Sequence, residues 1–199
     1  AMDRGVGKIL DWLEKKGELE HTLLFFMGDN GMNMGHHGIW GKGNGTFPPN
    51  FFDTSVKVPF LVSWPDVLPK GMVTDAMCSQ YDFIHTLLDL LGMAEAFPKE
   101  TAECLPGKSF KDVLFSGKAK EERAVMVFDE YGPNRMIRTK EWKLVHRYPY
   151  GPDELYHLAE DPEEKVNLAG KEEWQERKEE LMKQMIQWFD RYVDPKMDG

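Results

Sequence analysis

The pattern of apolar and polar positions predicts a helix followed by a buried strand at the start of the chain. The first 16 residues carry apolar side chains at helical spacing, and Gly17 is the type of residue that ends a helix. Residues 21–27 are then almost continuously apolar, which is typical of a strand covered by helices on both faces. Residues 58–65 predict another apolar strand, and residues 80–92 have helical periodicity. This alternation indicates a layered sheet with helices.

The pattern changes after residue 118 to three short strand-like segments. They cover residues 124–131, 134–139 and 142–148, and turn residues separate them at hairpin spacing. We therefore expect an antiparallel meander. Residues 172–193 repeat apolar side chains at helical spacing against a charged face, which predicts an amphipathic helix packed on that meander.

The predicted fold class is therefore α/β with a small α+β addition. Residues 1–118 are expected to form the part built from a sheet and its helices. Residues 119–199 are expected to form a smaller subdomain that contains the meander and the carboxyl-terminal helix.

Composition and charge exclude several classes of function. The chain of 199 residues is 41% hydrophobic and 30% charged, and its formal net charge is −9 at pH 7. Nucleic-acid-binding surfaces concentrate Lys and Arg, so this acidic balance argues against a nucleic-acid partner. Apolar runs long enough to span a membrane, roughly 18 residues or more, do not occur in the sequence. The two cysteines, Cys78 and Cys104, fit neither a disulfide scaffold nor a four-ligand zinc site.

Candidate chemistry is concentrated directly after the first predicted strand. Asp29-Asn30-Gly31 is also a common hairpin-turn sequence, so a purely structural role for these three residues is an open alternative. The residues that follow do not alternate as a returning strand would, and glycines at positions 35, 38, 41 and 43 predict an irregular loop. Loops at the carboxyl ends of buried strands are where α/β proteins place ligands and catalytic groups.

The residue types in this loop indicate the class of ligand. A carboxylate from Asp29 beside a carboxamide from Asn30 offers two hard oxygen atoms, which suit Ca²⁺ or Mg²⁺ better than Zn²⁺. Lys42 adds a compact positive charge that suits the oxygen atoms of a tetrahedral anion. A metal and a lysine together indicate chemistry on a phosphate or sulfate ester.

His36 and His37 have two open interpretations. Either ring could face the substrate, with His37 the preferred candidate, and either could serve only to order the glycine-rich loop by hydrogen bonding.

The order of motifs along the whole chain carries a family resemblance. Asp29-Asn30-Gly31 is followed by Gly35-His36-His37-Gly38, by Lys42 and by the segment FDTSVKVP over residues 52–59. The segments SQYDFIHTLLDLLG, LPGKSF and ELYHLAEDPEEKVNLA come next in the expected order. This order resembles the formylglycine-dependent, type I sulfatases of the alkaline-phosphatase-like superfamily. Phe52-Asp53 stands where that family often has Tyr-Glu, and Lys57 replaces an arginine.

The resemblance implies the fold and the roles of individual residues. It implies the carboxyl-terminal part of an alkaline-phosphatase-like sandwich, a mixed sheet with helices, followed by the small subdomain. Asp29 and Asn30 match the family's metal-binding pair for Ca²⁺ or Mg²⁺, and Lys42 matches the lysine that contacts the sulfate group. His37 or His36 would assist protonation of the leaving group. The substrate would be a sulfated small molecule or glycan.

The resemblance also implies that the nucleophile lies upstream of these residues. The family makes a formylglycine from a Cys/Ser-x-Pro-x-Arg segment, and the 199 residues contain none. The segment Cys104–Lys108 is similar to this motif, but it follows Lys42 in the sequence and ends in lysine where the motif has arginine, so it does not match. We therefore expect the chain to be the carboxyl-terminal portion of a sulfatase and to be inactive by itself. Family members are often exported, and a signal peptide would precede these residues.

Three further expectations accompany this interpretation. A phosphoesterase or phosphonate hydrolase of the same superfamily is the first alternative, because its members share the fold and the order of site residues. A non-catalytic interaction module is the second. Because upstream strands of the sheet would be missing, we also expect the chain alone to expose strand edges and to self-associate.

Overall fold

The computed structural model of the protein describes residues 1–129, 134–147 and 151–194. Its helices are α1 (Met2–Lys16), α2 (Asp53–Val56), α3 (Phe83–Leu90), α4 (Lys99–Cys104), α5 (Lys111–Ser116) and α6 (Gln175–Tyr192). Its strands are β1 (Leu24–Met27), β2 (Asn33–Met34), β3 (Trp40–Gly41), β4 (Phe60–Ser63), β5 (Val125–Phe128), β6 (Asn134–Arg138), β7 (Trp142–Arg147) and β8 (Glu154–His157). In this described part of the chain, no helix is both long and apolar enough to cross a membrane.

Helix α1 ends where the sequence predicts. Gly17 adopts the left-handed conformation, with φ 67°, and its N–H group bonds to the carbonyl oxygens of Leu13 and Glu14. Such a cap satisfies carbonyl groups that the helix itself cannot. The apolar face of α1 is nevertheless poorly covered, because none of its residues is fully buried and Ile9 and Trp12 are each 58% exposed.

Strands β1 and β4 confirm the two apolar runs predicted at residues 21–27 and 58–65. They pair antiparallel in a two-stranded sheet, with Leu24 opposite Ser63 and Met27 opposite Phe60. The expectation that the first strand is buried on both faces is wrong for the described structure, in which Phe26 remains 37% exposed. The side chain of Phe26 projects from one face of the strand, and the described residues leave that face partly uncovered.

Helix α3 is anchored by a buried carboxylate at its start. A short 3-10 turn, Gln80–Asp82, precedes α3, and Asp82 and Ser79 form a reciprocal capping box. The Asp82 side chain is fully buried and accepts hydrogen bonds from the backbone N–H groups of Ser79 (2.7 Å) and Lys108 (3.0 Å). The Arg123 guanidinium donates a third bond at 2.8 Å. Asp82 therefore ties the helix to the segment that leads into the second sheet.

The second sheet confirms the predicted meander and adds a strand that the sequence did not predict. Strands β5, β6, β7 and β8 are neighbours in that order and are all antiparallel. Positions 130, 131 and 148 of the predicted strands lie outside the described residues. Helix α6 packs on this sheet as predicted. The shared core includes Ile137, Leu144, Leu155, Leu181 and Met185.

A buried ion cluster, formed by Asp53, Arg138, Lys143 and Glu164, joins this second sheet to α2. The Lys143 ammonium is fully buried and donates to Asp53 Oδ1 (2.5 Å), Glu164 Oε1 (2.5 Å) and the Phe51 carbonyl (2.9 Å). Arg138 donates to Asp53 through Nε (3.0 Å) and Nη2 (2.8 Å). Charges at this depth are tolerated only when they are paired and hydrogen bonded. We retain the division at residue 118 as a proposal, and this cluster lies across it.

Candidate active site

The turn after β1 presents the two candidate metal ligands to solvent. Asp29 and Asn30 are both exposed. The Asn30 N–H group donates to Asp29 Oδ1 at 2.9 Å, and Asn30 Nδ2 donates to the Gly31 carbonyl at 2.8 Å. Gln80, at the start of the α3 region, donates to the carbonyls of Gly28 (3.0 Å) and Asp29 (3.1 Å). This glutamine fixes the backbone of the turn, and the sequence contains no signal for its role.

The oxygen atoms of this turn suit a hard cation. The bond from Asn30 Nδ2 to Gly31 orients the amide, and within the described structure neither Asp29 Oδ2 nor Asn30 Oδ1 accepts a hydrogen bond. Two unengaged oxygen atoms, one from a carboxylate and one from a carboxamide, match the preference of Ca²⁺ and Mg²⁺. The described residues contain no group of three or more His, Cys, Asp or Glu that could hold a metal by itself. Asp29 and Asn30 therefore fit part of a ligand set.

The paired histidines lie in a short 3-10 turn, His36–Gly38, between β2 and β3. The predicted irregular loop thus contains a short hairpin whose strands have two residues each. Asn33 pairs with Gly41, and Met34 pairs with Trp40. His36 Nδ1 accepts a hydrogen bond from the Met34 N–H group at 3.3 Å. The His36 ring therefore helps to order the loop by hydrogen bonding, which is the structural role considered for either histidine.

His37 has a different environment from His36. Its backbone is left-handed, with φ 53° and ψ 22°, which is uncommon for a residue other than glycine. Its ring stacks on Phe52 with a centroid separation of 3.6 Å and an interplanar angle of 6°. Residues held in such conformations often occur at functional sites, where surrounding contacts maintain them. Here the flat face of Phe52 supports the His37 ring.

Lys42 is exposed at the start of the 3-10 turn Gly43–Gly45. Its carbonyl oxygen accepts a hydrogen bond from the Gly45 N–H group at 2.9 Å. Within the described part of the protein, its ammonium group forms no ion pair. An uncommitted ammonium on a flexible stem is available to an anionic ligand.

A buried amide cluster, formed by Asn33, Asn50 and Ser55, lies beneath this loop. All three side chains are at most 5% exposed. Asn33 Nδ2 donates to Ser55 Oγ (2.6 Å) and to Asn50 Oδ1 (3.3 Å), and Ser55 Oγ donates to Asn50 Oδ1 (2.7 Å). The Thr54 hydroxyl donates to Asn33 Oδ1. Sequence reasoning missed this cluster, because single polar residues separated by 5, 17 and 22 positions have no recognisable spacing.

Asp53 follows Phe52 and carries the most clearly perturbed carboxyl group near the loop. Burial by itself would raise the pKa of Asp53, but hydrogen bonds and charges from Arg138 and Lys143 outweigh it and lower the pKa to about 2. Asp53 is therefore ionised at neutral pH and is committed to the ion cluster. It is a structural group, and the candidate metal ligands remain Asp29 and Asn30.

A cleft of about 290 Å³ adjoins Phe52. Its apolar walls include Pro48, Phe52 and Pro152. The charged groups of the cleft neutralise each other, since Arg147 Nε and Nη2 donate to Glu154 Oε1 at 3.1 and 3.0 Å. The cleft suits an uncharged group with an apolar face better than an anion.

Comparisons with known proteins show which family the chain is similar to. A protein-family profile described as N-sulphoglucosamine sulphohydrolase, C-terminal, matches residues 35–191. An N-acetylglucosamine-6-O-sulfatase from Bacteroides thetaiotaomicron is 30% identical over 98% of this chain and 35% of its own length. A choline-sulfatase from Rhizobium meliloti is 31% identical over 84% of this chain and 31% of its own length. The chain thus spans about a third of these curated relatives.

Solved structures show the same similarity. A protein solved in complex with its substrate, D-glucosamine-2-N,6-O-disulfate, aligns with a TM-score of 0.82 and 28% identity over 97% of this chain and 39% of that one. The phosphonate monoester hydrolase of Agrobacterium radiobacter aligns with a TM-score of 0.77 and 25% identity over 96% of this chain and 40% of that one.

Proposed function

The chain belongs to the sulfatase family, whose carboxyl-terminal portion it matches, and on this premise we propose that it supplies part of the active site of a sulfate ester hydrolase. The observation that carries the proposal is the loop after β1. On this one loop, Asp29 and Asn30 present unengaged oxygen atoms and Lys42 presents an uncommitted ammonium group. A hard cation and a lysine ammonium both neutralise negative charge on the oxygen atoms of a sulfate ester.

Asp29 and Asn30 would hold the divalent cation, which we propose to be Ca²⁺ or Mg²⁺. When bound, the cation would act as a Lewis acid and neutralise charge on the sulfate group. The family's formylglycine would supply the nucleophile, and its segment is not among the 199 residues.

Lys42 would stabilise the negative charge that develops on the sulfuryl oxygens and the leaving oxygen. A positioned donor of this kind accelerates a reaction by on the order of a hundredfold. His37 is the stronger candidate for giving a proton to the leaving oxygen. His36 Nδ1 already accepts a backbone hydrogen bond, whereas the described residues provide His37 with a ring stack and no hydrogen bond to either nitrogen.

The substrate class we propose is a sulfated sugar. The Phe52 ring supports His37 and also lines the cleft, so a substrate with its leaving oxygen near His37 could extend into the cleft. Apolar walls beside the Arg147–Glu154 ion pair, whose net charge is zero, suit a sugar ring. The structural relative that was solved with a disulfated glucosamine supports the same class.

The experiment expresses the open reading frame that encodes these residues together with a formylglycine-generating enzyme. Sulfate release is measured from glucosamine 6-sulfate and 4-nitrophenyl sulfate. Hydrolysis of a phenyl phosphonate monoester is measured separately, as the alternative substrate. We expect sulfate release that requires a divalent cation and falls by about a hundredfold in Lys42→Ala. Asn44→Ala is the control in the same loop, because Asn44 is exposed and lies outside the proposed site.

The phosphonate substrate tests the alternative that the second structural relative represents. Turnover restricted to the phosphonate would replace the proposal by phosphonate monoester hydrolysis. An enzyme that turns over none of these substrates would favour the non-catalytic interaction module.

We also propose that the 199 residues, expressed by themselves, associate with a second copy. In the described structure β1 has an unpaired edge, and Leu61 on the neighbouring strand is 62% exposed. The half-covered face of α1 adds Ile9 and Trp12, each 58% exposed. Unpaired edges and contiguous apolar patches promote association between chains.

A further inference from the structure

The buried amide cluster is connected to the candidate lysine. Asn50 Nδ2 donates to the carbonyl of Gly43 at 3.0 Å and lies 3.3 Å from the carbonyl of Lys42. The Asn50 N–H group also donates to the Gly43 carbonyl at 2.9 Å. These bonds fix the backbone from which the Lys42 side chain extends. The Lys42 side chain is exposed and flexible, so the position of its backbone decides which volume the ammonium can reach.

The same cluster is connected to the candidate metal pair. The Gly31 N–H group, next to Asn30, donates to the carbonyl of Ser55 at 2.9 Å. A Cβ atom on Gly31 would lie 2.2 Å from the Thr54 carbonyl, so the two segments are in direct contact here. Ser55 in turn donates to Asn50 through its hydroxyl at 2.7 Å. Asn50 therefore lies between the backbone of Lys42 and the segment that fixes the Asp29–Asn30 turn.

We propose that Asn50 is a positioning residue that holds Lys42 at a fixed distance from the Asp29–Asn30 pair. This inference rests on the proposed function. A buried, fully hydrogen-bonded amide could serve stability alone, and hydrogen-bonded clusters of this kind do stabilise folds. Asn50 Nδ2 also donates to Thr46 Oγ1 at 3.3 Å. The two connections described above, however, end at the backbone of Lys42 and at the backbone next to Asn30, which both carry candidate site groups. Asn50 would thus act on the chemical step through Lys42 and would not touch the substrate's sulfate group.

A double-mutant cycle separates positioning from stability. Asn50→Ala is made in the wild-type enzyme and in Lys42→Ala, each from the complete reading frame expressed with a formylglycine-generating enzyme. If Asn50 acts through Lys42, its removal lowers kcat at least tenfold in the wild-type background and less than twofold in the Lys42→Ala background. The KM for the sulfate ester should change less than kcat, because Asn50 is not expected to bind the substrate.

Two further variants support the cycle. Asn50→Asp retains the oxygen that accepts from Ser55 but loses the amide donor to Gly43 and Lys42, and it replaces Asn50→Ala if that variant does not fold. It should reproduce the loss of kcat and the dependence on Lys42. Asn44→Ala, in the same loop, should retain wild-type kcat.

The outcomes are distinguishable. Wild-type turnover of the sulfate ester with equal losses of kcat in both backgrounds would refute the positioning role and leave the proposed function intact. A wild-type enzyme that releases no sulfate would refute the proposed function and the positioning role together.

Discussion

Replacing Asp53 by asparagine tests whether the buried ion cluster stabilises the joint between α2 and the second sheet. The substitution keeps the shape of the side chain and removes its charge. Within the cluster, the fully buried Lys143 then keeps Glu164 as its acidic partner, and Arg138 loses the carboxylate with which it pairs. Breaking a buried ion pair by removing one partner typically costs about 3 to 5 kcal/mol. Asp53 retains some solvent contact, with 19% of its side chain exposed, so we expect a loss of about 3 kcal/mol at pH 7.

The pH dependence gives a second, independent magnitude. The pKa of Asp53 falls from 3.8 to about 2 on folding, and a difference of about 1.8 units corresponds to about 2 kcal/mol. Because the folded pKa is the lower one, this stabilisation is fully present above pH 4 and is lost as the pH falls towards 2. The difference in unfolding free energy between wild type and Asp53→Asn should therefore shrink by about 1 kcal/mol between pH 7 and pH 3.

Urea unfolding followed by circular dichroism at pH 7, 5 and 3 measures these differences. Asp66→Asn is the matched control, because its pair with Lys70 has a separation of 3.6 Å and side chains that are 72% and 83% exposed. Exposed pairs contribute about 0.5 kcal/mol or less. If Asp53→Asn costs no more than Asp66→Asn, or if its cost is independent of pH, the stabilising role that we assign to the cluster is wrong.

Three other predictions concern the 199 residues expressed alone. The chain should release no sulfate from 4-nitrophenyl sulfate. It should also bind Ca²⁺ only weakly, because Asp29 and Asn30 form part of a ligand set. Sulfate release, or saturation in a calcium titration at micromolar concentration, would contradict this prediction. Sedimentation across a dilution series should show association of the chain, and a monomeric mass at every concentration would refute this prediction. Leu61→Lys should weaken the association, whereas the control Val73→Lys, at another exposed position, should not. Burial, assisted by the Asp82 carboxylate, raises the pKa of the Cys78 thiol to about 11, so at pH 8 iodoacetamide should label exposed Cys104 and leave Cys78 largely unmodified, as mass spectrometry of the peptides would show.

Elements with a strong periodic pattern could be predicted from the sequence. Helix α1, strands β1 and β4, the meander and α6 each carry an apolar period that matches their geometry. Strand β8 was missed because it has neither an apolar run nor an alternating pattern: Leu155 and Tyr156 are adjacent and both buried, between the polar residues Glu154 and His157. Burial on both faces of β1 was wrongly expected, because an apolar run does not show which other elements cover the two faces of a strand.

The charged and polar interior was the least predictable part of the fold. Lys143 lies in a strand and Glu164 in an acidic run that resembles a solvated turn, yet both are buried. Their burial depends on partners 90 and 111 residues away, in the segment around Asp53. For the candidate site, the sequence brought Asp29, Asn30 and Lys42 to one loop, and their roles stay predictions. The contacts that hold this loop involve residues distant in sequence, so the local sequence pattern does not predict them.

The two hydrogen bonds from Asn50 to Gly43 also have an evolutionary consequence. They close the base of the loop formed by residues 44–49, so changes in its length or composition need not be transmitted to the neighbouring lysine. Such a closed base permits insertions and deletions at low cost, because closing a longer loop adds little entropy. Diversification of this segment could therefore alter the wall of the adjoining cleft while the chemistry stays constant. The same property makes residues 44–49 a natural place to graft loops when substrate preference is to be redesigned.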